Sequence, residues 1–194
     1  MKIKKASFET TIVDVKKINN TSIPEIAFVG RSNVGKSSLI NMITNINRLA
    51  KTSSTPGKTK HLNYFLINDD FYIVDLPGYG YHKASKTDEK KWKSLIEDYL
   101  TNSKNLMCVF VLLDIRRTPS DLDIQMIDYL YQYNIPFSVI ITKSDKISKS
   151  QVNILSNKIA INLGLGTSDV IISSSTSKKG KEEILSKIFS YINN

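Results

Sequence analysis

The chain has a single cysteine, no long hydrophobic run and fewer acidic than basic residues. Cys108 is the one cysteine among 194 residues, which excludes a framework of internal disulfides. Because Cys108 lies within an apolar run, we expect a buried, inert thiol and not a nucleophile. The longest apolar runs, residues 108–113 and 137–141, have the length of strands, so we expect no membrane span. The basic residues after Met1 are followed by no hydrophobic segment, so we expect a cytoplasmic protein without a secretory signal.

Basic residues outnumber acidic ones, with 27 Lys and Arg against 18 Asp and Glu and a formal net charge of +9. The lysines form no single tail and recur in residues 83–93 and 178–181. This balance is typical of proteins that contact a polyanion such as RNA or an acidic membrane surface. A lysine-rich proteome is the alternative explanation, and the charge favours nucleic-acid contact over it.

The most specific motif is a glycine-rich loop that follows a short apolar segment, residues 26–29. It fits the pattern G-x-x-x-x-G-K-[ST], and its residues are Gly30, Arg31, Ser32, Asn33, Val34, Gly35, Lys36 and Ser37. A helical pattern from Ser38 follows, and a strand, a glycine loop and a helix in this order predict a phosphate cradle. Lys36 can reach the β- and γ-phosphates, while the Ser37 hydroxyl can bind Mg²⁺. The motif predicts a site for a nucleoside triphosphate.

Apolar strands alternate with helical patterns along the rest of the chain. We predict strands at 26–29, Leu62–Ile67, Phe71–Asp75, Leu106–Asp114, 136–142 and 170–173, and helices from Ser38 and at 86–101, Asp121–Gln132, 149–163 and Lys181–Ile192. Repeated βα units with a phosphate loop predict an α/β P-loop NTPase fold in three layers. Its sheet is expected to be mostly parallel, with six strands, one of them antiparallel, and helices on both faces. We expect a basic N-terminal extension, residues 1–22, packed on a single domain, residues 23–194.

A second motif ends the second strand of the predicted hairpin. Its residues are Asp75, Leu76, Pro77 and Gly78. A carboxylate at a strand tip can hold Mg²⁺ through water, and the glycine N–H beyond it can sense a γ-phosphate. Because loss of that phosphate would release the segment, the motif predicts a nucleotide-dependent switch.

A third motif predicts which base is bound. Thr142, Lys143, Ser144 and Asp145 follow an apolar strand and correspond to the N/T-K-x-D motif of GTPases. Asp145 can accept hydrogen bonds from the ring N–H and exocyclic amine of guanine, and the stem of Lys143 can lie against the base. Thr142 stands where Asn is usual, which leaves one contact to the base open.

Two weaker signals lie in polar loops. The first loop is predicted to contribute the binding residues Gly57, Lys58, Thr59, Lys60 and His61. Thr59 is our choice to complete the Mg²⁺ shell because of its P-G-x-T context, with Thr52 and Thr55 as competitors. The second loop contains Ser173, Ser174 and Ser175, which we expect to offer backbone N–H groups to the guanine oxygen.

Together these segments resemble the EngB (YsxC/YihA) family of bacterial ribosome-assembly GTPases. The resemblance rests on GRSNVGKSSLIN, TSSTPGKTK, DLPGYGY and TKSD, extends through RRTPSD at 116–121, and covers nearly the whole chain. Thr at the first position of T-K-x-D is itself typical of that family. The resemblance implies a Mg²⁺-dependent GTPase domain that binds GTP and GDP. It also implies a large ribosomal subunit precursor (rRNA and ribosomal proteins) as partner and a link with cell division and septation. We expect a monomer.

Tyr79 occupies the place where signalling GTPases carry a glutamine that orients the attacking water. An aromatic ring cannot do this, so we predict slow intrinsic hydrolysis, with Lys36, Thr59 and Asn33 as the catalytic residues. Two routes to faster hydrolysis remain open. Asn33 can hold a K⁺ ion that offsets charge in the transition state, as in similar bacterial GTPases, or the ribosome supplies a group. Asn33 can also simply shape the loop, and His82 is expected to be a solvated loop residue.

Two functions fit these motifs. In one, a GTP cycle times binding to and release from rRNA. In the other, the chain is an rRNA-binding module that nucleotide stabilises, and hydrolysis is incidental. A third class, the small-molecule and nucleoside kinases, shares the phosphate loop, but kinase activity would not explain the T-K-S-D motif.

Overall fold

The computed structural model describes residues 2–13, 22–51, 61–80 and 86–193. These ranges contain seven strands and five α-helices. The strands are β1 Ala6–Ile12, β2 Glu25–Gly30, β3 Leu62–Ile67, β4 Phe71–Asp75, β5 Leu106–Asp114, β6 Phe137–Thr142 and β7 Val170–Ile172. The helices are α1 Lys36–Thr44, α2 Lys86–Asn102, α3 Asp121–Gln132, α4 Lys149–Asn162 and α5 Lys181–Ile192.

The strands form one sheet in the order β1-β3-β4-β2-β5-β6-β7. Strand β3 runs antiparallel to both of its neighbours, and the other pairs are parallel, which confirms the predicted sheet type. The predicted number of six strands was wrong, because residues 6–12 form the edge strand β1. Most side chains of β1 are exposed, and a bulge lies between Phe8 and Thr10, so the alternation that marks a half-buried strand is weak. The domain boundary at residue 22 stays a prediction.

Side chains of the central strands alternate between two apolar cores, one on each face of the sheet. Ile26 and Phe28 of β2 face the core built with α1 and α5, whereas Ala27 and Val29 face the core built with α2, α3 and α4. Phe28 stacks on Phe110 of β5 with ring centroids 5.2 Å apart. Because helices cover both faces, the predicted three layers are confirmed, and the strand ends are left to carry a site.

The predicted hairpin is confirmed, with a turn that suits its residues. Asn68 and Asp69 have φ angles of 51° and 61°. Asn and Asp tolerate this left-handed region, and two successive positive φ angles match the twist of the flanking strands.

Cys108 lies fully buried on β5, and burial raises the pKa of its thiol to about 12. The thiol is therefore protonated at neutral pH, which confirms the expectation of an inert cysteine. Within the described ranges, none of the helices combines the length and the apolar character that crossing a membrane requires.

A buried carboxylate lies at the start of β2, far from the glycine-rich loop. Glu25 is 1% exposed and accepts hydrogen bonds from the hydroxyls of Tyr99 at 2.8 Å and Ser103 at 3.0 Å, with the Tyr64 hydroxyl 3.5 Å away. Burial raises the pKa of Glu25, and the three hydroxyls act in the opposite direction. Folding thus favours the protonated carboxyl. The contribution of Glu25 to the free energy of unfolding is present below its ordinary pKa of 4.5. This contribution is lost as the pH rises through the pKa of Glu25 in the folded protein.

We predict that Tyr99→Phe lowers the free energy of unfolding by about 1–3 kcal/mol, because the buried Glu25 carboxyl loses its shortest hydrogen bond. Urea unfolding followed by circular dichroism measures the change. Tyr131→Phe is the matched control, since Tyr131 is 55% exposed, and it should change the free energy by less than about 0.5 kcal/mol. Equal effects of the two substitutions would contradict a stabilising role for the Glu25 cluster.

Candidate functional site

Residues 31–35 connect β2 to α1 and turn around the carboxyl end of β2. Gly35 is the N-cap of α1 and has a φ of 107°, a backbone geometry that favours glycine. The helix begins at Lys36, two residues before the predicted start. The free N–H groups of its first turn face the loop, where the helix dipole adds positive potential. This geometry is what a phosphate cradle requires.

The lysine of the loop meets the carboxylate of the second motif. Lys36 Nζ forms a salt bridge with Oδ1 of Asp75, the last residue of β4, and the two side chains are only 9% and 4% exposed. Burial costs both charges their hydration, and their mutual attraction offsets that cost only when the geometry is good. The two motifs therefore converge on one point, as a shared site for phosphate and metal requires.

The segment after Asp75 rests on the phosphate loop. A Cβ on Gly78 would lie 3.2 Å from the Ser32 nitrogen and 3.3 Å from the Gly30 oxygen, so a side chain there would push the loop away. The Ser32 N–H donates to the Tyr79 carbonyl at 3.0 Å, and the Tyr79 N–H donates to the Gly30 carbonyl at 3.3 Å. Backbone hydrogen bonds thus join the two predicted phosphate-sensing segments directly.

The Tyr79 side chain is attached to helix α3. Its hydroxyl donates to Asp123 Oδ1 at 2.8 Å, and Asp123 Oδ2 accepts from the N–H and hydroxyl of Ser120 at 2.8 and 2.7 Å. The Ser120–Asp123 contacts form the capping box of α3. Burial, followed by the Asp123 charge, raises the pKa of Tyr79 well above its ordinary value, so the hydroxyl remains a donor. Tyr79 therefore anchors the segment to α3.

The T-K-S-D motif is tied to the phosphate loop by two of its side chains. The Thr142 hydroxyl lies 2.7 Å from the Val34 carbonyl oxygen and 3.0 Å from that of Leu113, so its one proton goes to the backbone. Lys143 has a φ of 62°, and its ammonium donates to the Asn33 carbonyl at 2.6 Å. The Thr142 side chain, whose contact with the base the sequence left open, therefore bonds to the phosphate loop.

Asp145 lies beside the serine-rich loop that follows β7. The Ser174 hydroxyl donates to Asp145 Oδ1 at 2.7 Å, and this bond is the main cause of the lowered pKa of Asp145. Lys146 Nζ lies 3.3 Å from Asp145 Oδ2, but its side chain is 56% exposed, so solvent weakens this pair. The ionised carboxylate is held in place by a serine side chain.

The serine run differs in detail from the prediction. The Ser173 N–H donates to the Ile141 carbonyl at 2.7 Å, and the Ser174 N–H donates to the Lys179 carbonyl at 3.2 Å. Two of the three N–H groups predicted to face guanine are therefore used inside the fold. The contact of the serine run with guanine stays a prediction, for which Ser175 offers the N–H group that these two bonds do not use.

Several predicted residues lie outside the described part of the chain, namely Gly57, Lys58, Thr59 and Lys60, the competitors Thr52 and Thr55, and His82. The role of Thr59 stays a prediction, and His61 is exposed directly before β3. Within residues 2–13, 22–51, 61–80 and 86–193, no group of three or more His, Cys, Asp or Glu could hold a metal ion. The donor set still fits Mg²⁺, which commonly takes one or two protein oxygens and completes its shell with phosphate and water.

Sequence reasoning missed two acidic residues near this site. Asp114 ends β5 and contacts Lys143 and Arg116, while Asp123 holds Tyr79. The signal for Asp114 was a carboxylate closing an apolar strand next to the phosphate loop. Asp123 had a weaker signal, its place three residues after a Ser at a predicted helix start.

Comparison with known proteins identifies the class to which this site belongs. A family model described as 50S ribosome-binding GTPase matches residues 25–143, from the start of β2 to Lys143. With the fold and the phosphate loop, this match defines a P-loop GTPase. The probable GTP-binding protein EngB of Fusobacterium nucleatum is 48% identical over 195 residues, which cover all of both chains. The chain belongs to the EngB family of GTP-binding proteins.

The solved structures that are similar in fold include an EngB protein and NFeoB. A crystal structure of a probable GTP-binding protein EngB has a TM-score of 0.73 and 26% identity, covering 87% of this chain and 98% of that one. NFeoB from S. thermophilus, solved with GDP, AlF₄⁻ and K⁺, has a TM-score of 0.63 and 25% identity. That match covers 85% of this chain and 60% of NFeoB.

Proposed function

We propose that this GTPase binds Mg²⁺ and GTP at the carboxyl edge of its sheet and acts as a molecular switch in assembly of the large ribosomal subunit. One observation carries the nucleotide site. The phosphate loop directly contacts both the D-x-P-G segment and the T-K-S-D motif, through the pairs Lys36–Asp75 and Lys143–Asn33. Three segments that are distant in sequence thus converge where one nucleotide would need them.

The phosphates would lie in the loop formed by residues 30–37. Lys36 would neutralise the β- and γ-phosphates, since its ammonium is already at the loop and buried. Ser37 and Thr59 would bind Mg²⁺ directly and Asp75 through water. When bound, Mg²⁺ neutralises charge on the β- and γ-phosphate oxygens. Gly78 lies against Ser32, in a position to sense the γ-phosphate through its N–H.

Guanine would be recognised by the Asp145 carboxylate, and the Ser175 N–H would bind the guanine oxygen. Ser174 donates to Asp145 Oδ1, and Oδ2, which the exposed Lys146 ammonium approaches only to 3.3 Å, would accept from the base. The corresponding edge of adenine offers this carboxylate no donor, and an acceptor that a bound base covers without pairing is costly. The lowered pKa of Asp145 keeps it an acceptor at neutral pH.

Hydrolysis would be slow without help. The Tyr79 hydroxyl donates to Asp123, so Tyr79 would not orient the attacking water. Lys36 would stabilise charge on the phosphates, but no side chain at position 79 would position the water. Asn33 is exposed at the loop, where its side chain can hold K⁺. The K⁺ bound in the NFeoB structure supports this role, and a group supplied by the ribosome is the second route.

The ribosomal role rests on charge and on the family. The net charge of +9 suits an RNA partner, and the matching family is described as 50S ribosome-binding. We therefore propose a large-subunit precursor, with its rRNA and proteins, as the partner of a monomer in the cytoplasm. An effect on cell division and septation would follow from failed assembly. The second candidate, an rRNA-binding module for which hydrolysis is incidental, is supported by the same charge.

We expect Asp145→Asn to weaken GDP binding by about 100-fold or more, because two hydrogen bonds to a charged acceptor are lost. Affinity for XDP should rise, since xanthine offers an oxygen where guanine has an amine. Displacement of a fluorescent GDP analogue by GDP, XDP and ADP measures both effects. Asp128→Asn, at an exposed position of α3, is the control and should bind GDP normally. Preferred binding of ADP by the unchanged protein would refute guanine recognition.

Hydrolysis by the unchanged protein should be at least about tenfold faster in K⁺ than in Na⁺ if Asn33 holds the ion, as expected for charge stabilisation in the transition state. Asn33→Ala should abolish this difference. Asn134→Ala is a matched control, because Asn134 is also exposed and has a similar positive φ of 52°. Equal rates in both salts would remove the potassium route.

Cosedimentation with large-subunit precursors should depend on the nucleotide, being stronger with a non-hydrolysable GTP analogue than with GDP. Lys36→Ala should remove this difference, whereas Lys149→Ala, at an exposed lysine, should keep it. Binding should also weaken steeply with salt, because phosphate contacts release counterions. Equal binding with either nucleotide would favour the module over the switch, and no binding would refute both.

A further inference from the structure

The carboxylate of Asp114 lies at the end of β5, between the phosphate loop and the T-K-S-D motif. Its Oδ1 accepts from the backbone N–H and the Nε of Arg116, at 3.1 and 2.9 Å. Its Oδ2 accepts from an Arg116 terminal nitrogen at 2.7 Å and from Lys143 Nζ at 2.9 Å. Four hydrogen bonds therefore fix the orientation of one carboxylate.

The charges in this group are unequally exposed. The Asp114 side chain is 6% exposed, whereas those of Lys143 and Arg116 are 26% and 43% exposed. The bonds from Arg116 and Lys143 hold the pKa of Asp114 far below its ordinary value despite its burial. The carboxylate is ionised at every pH at which the protein would work, and it is the buried member of the cluster.

Lys143 needs such a partner because its side chain is long and flexible. The ammonium bridges Asp114 Oδ2 and the Asn33 carbonyl, which is 2.6 Å away. The stem passes over the phosphate loop, since a Cβ on Gly35 would lie 3.6 Å from Lys143 Cε. A lysine side chain loses up to about 2 kcal/mol of rotamer entropy when it is fixed. The contacts to Asp114 and Asn33 supply that ordering before a base is present.

We propose that Asp114 is a positioning residue for guanine-nucleotide binding, acting through Lys143, with Arg116 orienting the carboxylate. It touches neither base nor phosphate in this scheme. It holds the lysine stem flat over the loop where the base would lie, and it keeps the ammonium on the Asn33 carbonyl. The inference rests on the proposed guanine site, because Lys143 belongs to the T-K-S-D motif.

The test begins with Asp114→Asn, measured by stopped-flow with a fluorescent GDP analogue and by urea unfolding. We expect GDP affinity to fall by about 10- to 100-fold, the range for losing a hydrogen bond to a charged group, mainly through faster dissociation. Asp128→Asn, an exposed acid-to-amide change on α3, should leave affinity unchanged. Unchanged GDP affinity in a folded Asp114→Asn protein would overturn the proposal.

A double-mutant cycle separates positioning from a general loss of stability. Lys143→Met keeps an unbranched stem and removes the ammonium. If Asp114 acts through Lys143, Asp114→Asn should weaken GDP binding no further in the Lys143→Met background. Multiplied effects of the two substitutions would show that Asp114 acts independently of Lys143 and would refute the proposal.

Arg116→Gln keeps the test decisive if Asp114→Asn fails to fold. Arg116 is the most exposed member of the cluster, so its loss should leave the fold intact and weaken GDP binding by about twofold to fivefold. An Arg116→Gln protein with unchanged affinity would then count against the proposal. The proposed guanine site is tested separately, by whether the unchanged protein prefers GDP to ADP. Failure of the Asp114 proposal can therefore be distinguished from failure of the guanine site.

Discussion

The parallel pairing of β2 with β4 on one side and β5 on the other is the constraint on which the site depends. Phe28 of β2 lies in register with Asp75, and Gly30 lies in register with Leu112 of β5. Asp114 in turn lies beside Thr142. Because parallel strands end at the same edge, this register brings the phosphate loop, Asp75 and the T-K-S-D motif within hydrogen-bond reach. A slip of one residue would turn every side chain of the strand to the opposite face and separate these groups.

The charges at this edge have a pattern that stability alone does not explain. Asp75 and Asp114 are both buried at strand ends, and each is paired with a lysine. Buried ion pairs often stabilise a fold no better than apolar side chains of similar size would. The proposed phosphate ligand would give the Lys36–Asp75 pair a use, because the ammonium would neutralise the phosphate and Asp75 would hold a metal through water. The arrangement is easier to understand as preparation for an anion than as a means of folding.

Much of the fold and of the proposed site could be predicted from the sequence, because both depend on local patterns. Apolar runs and helical periodicity placed the core strands and helices, and short motifs placed the loop, Asp75 and Asp145. Strand β1 was missed because it lies at an edge and buries little. Asp114 and Asp123 were missed because their local signals, a carboxylate closing a strand and a capping-box position, do not reveal the contacts to Lys143, Arg116 and Tyr79 that the fold creates. The use of the Ser174 N–H within its own loop likewise depends on Lys179, five residues further on.

The attachment of Tyr79 bears on how a nucleotide signal would leave the site. Its backbone is bonded to the phosphate loop, and its hydroxyl is bonded to Asp123, which caps α3 together with Ser120. A shift of the Tyr79 backbone would therefore strain the Tyr79–Asp123 bond or move the first turn of α3. A hydrogen bond to a charged group contributes about 1.5–3 kcal/mol, which is comparable to the coupling free energies of allosteric proteins. If the γ-phosphate lies where we propose, Tyr79, which stands in place of a water-orienting glutamine, would join that position to α3.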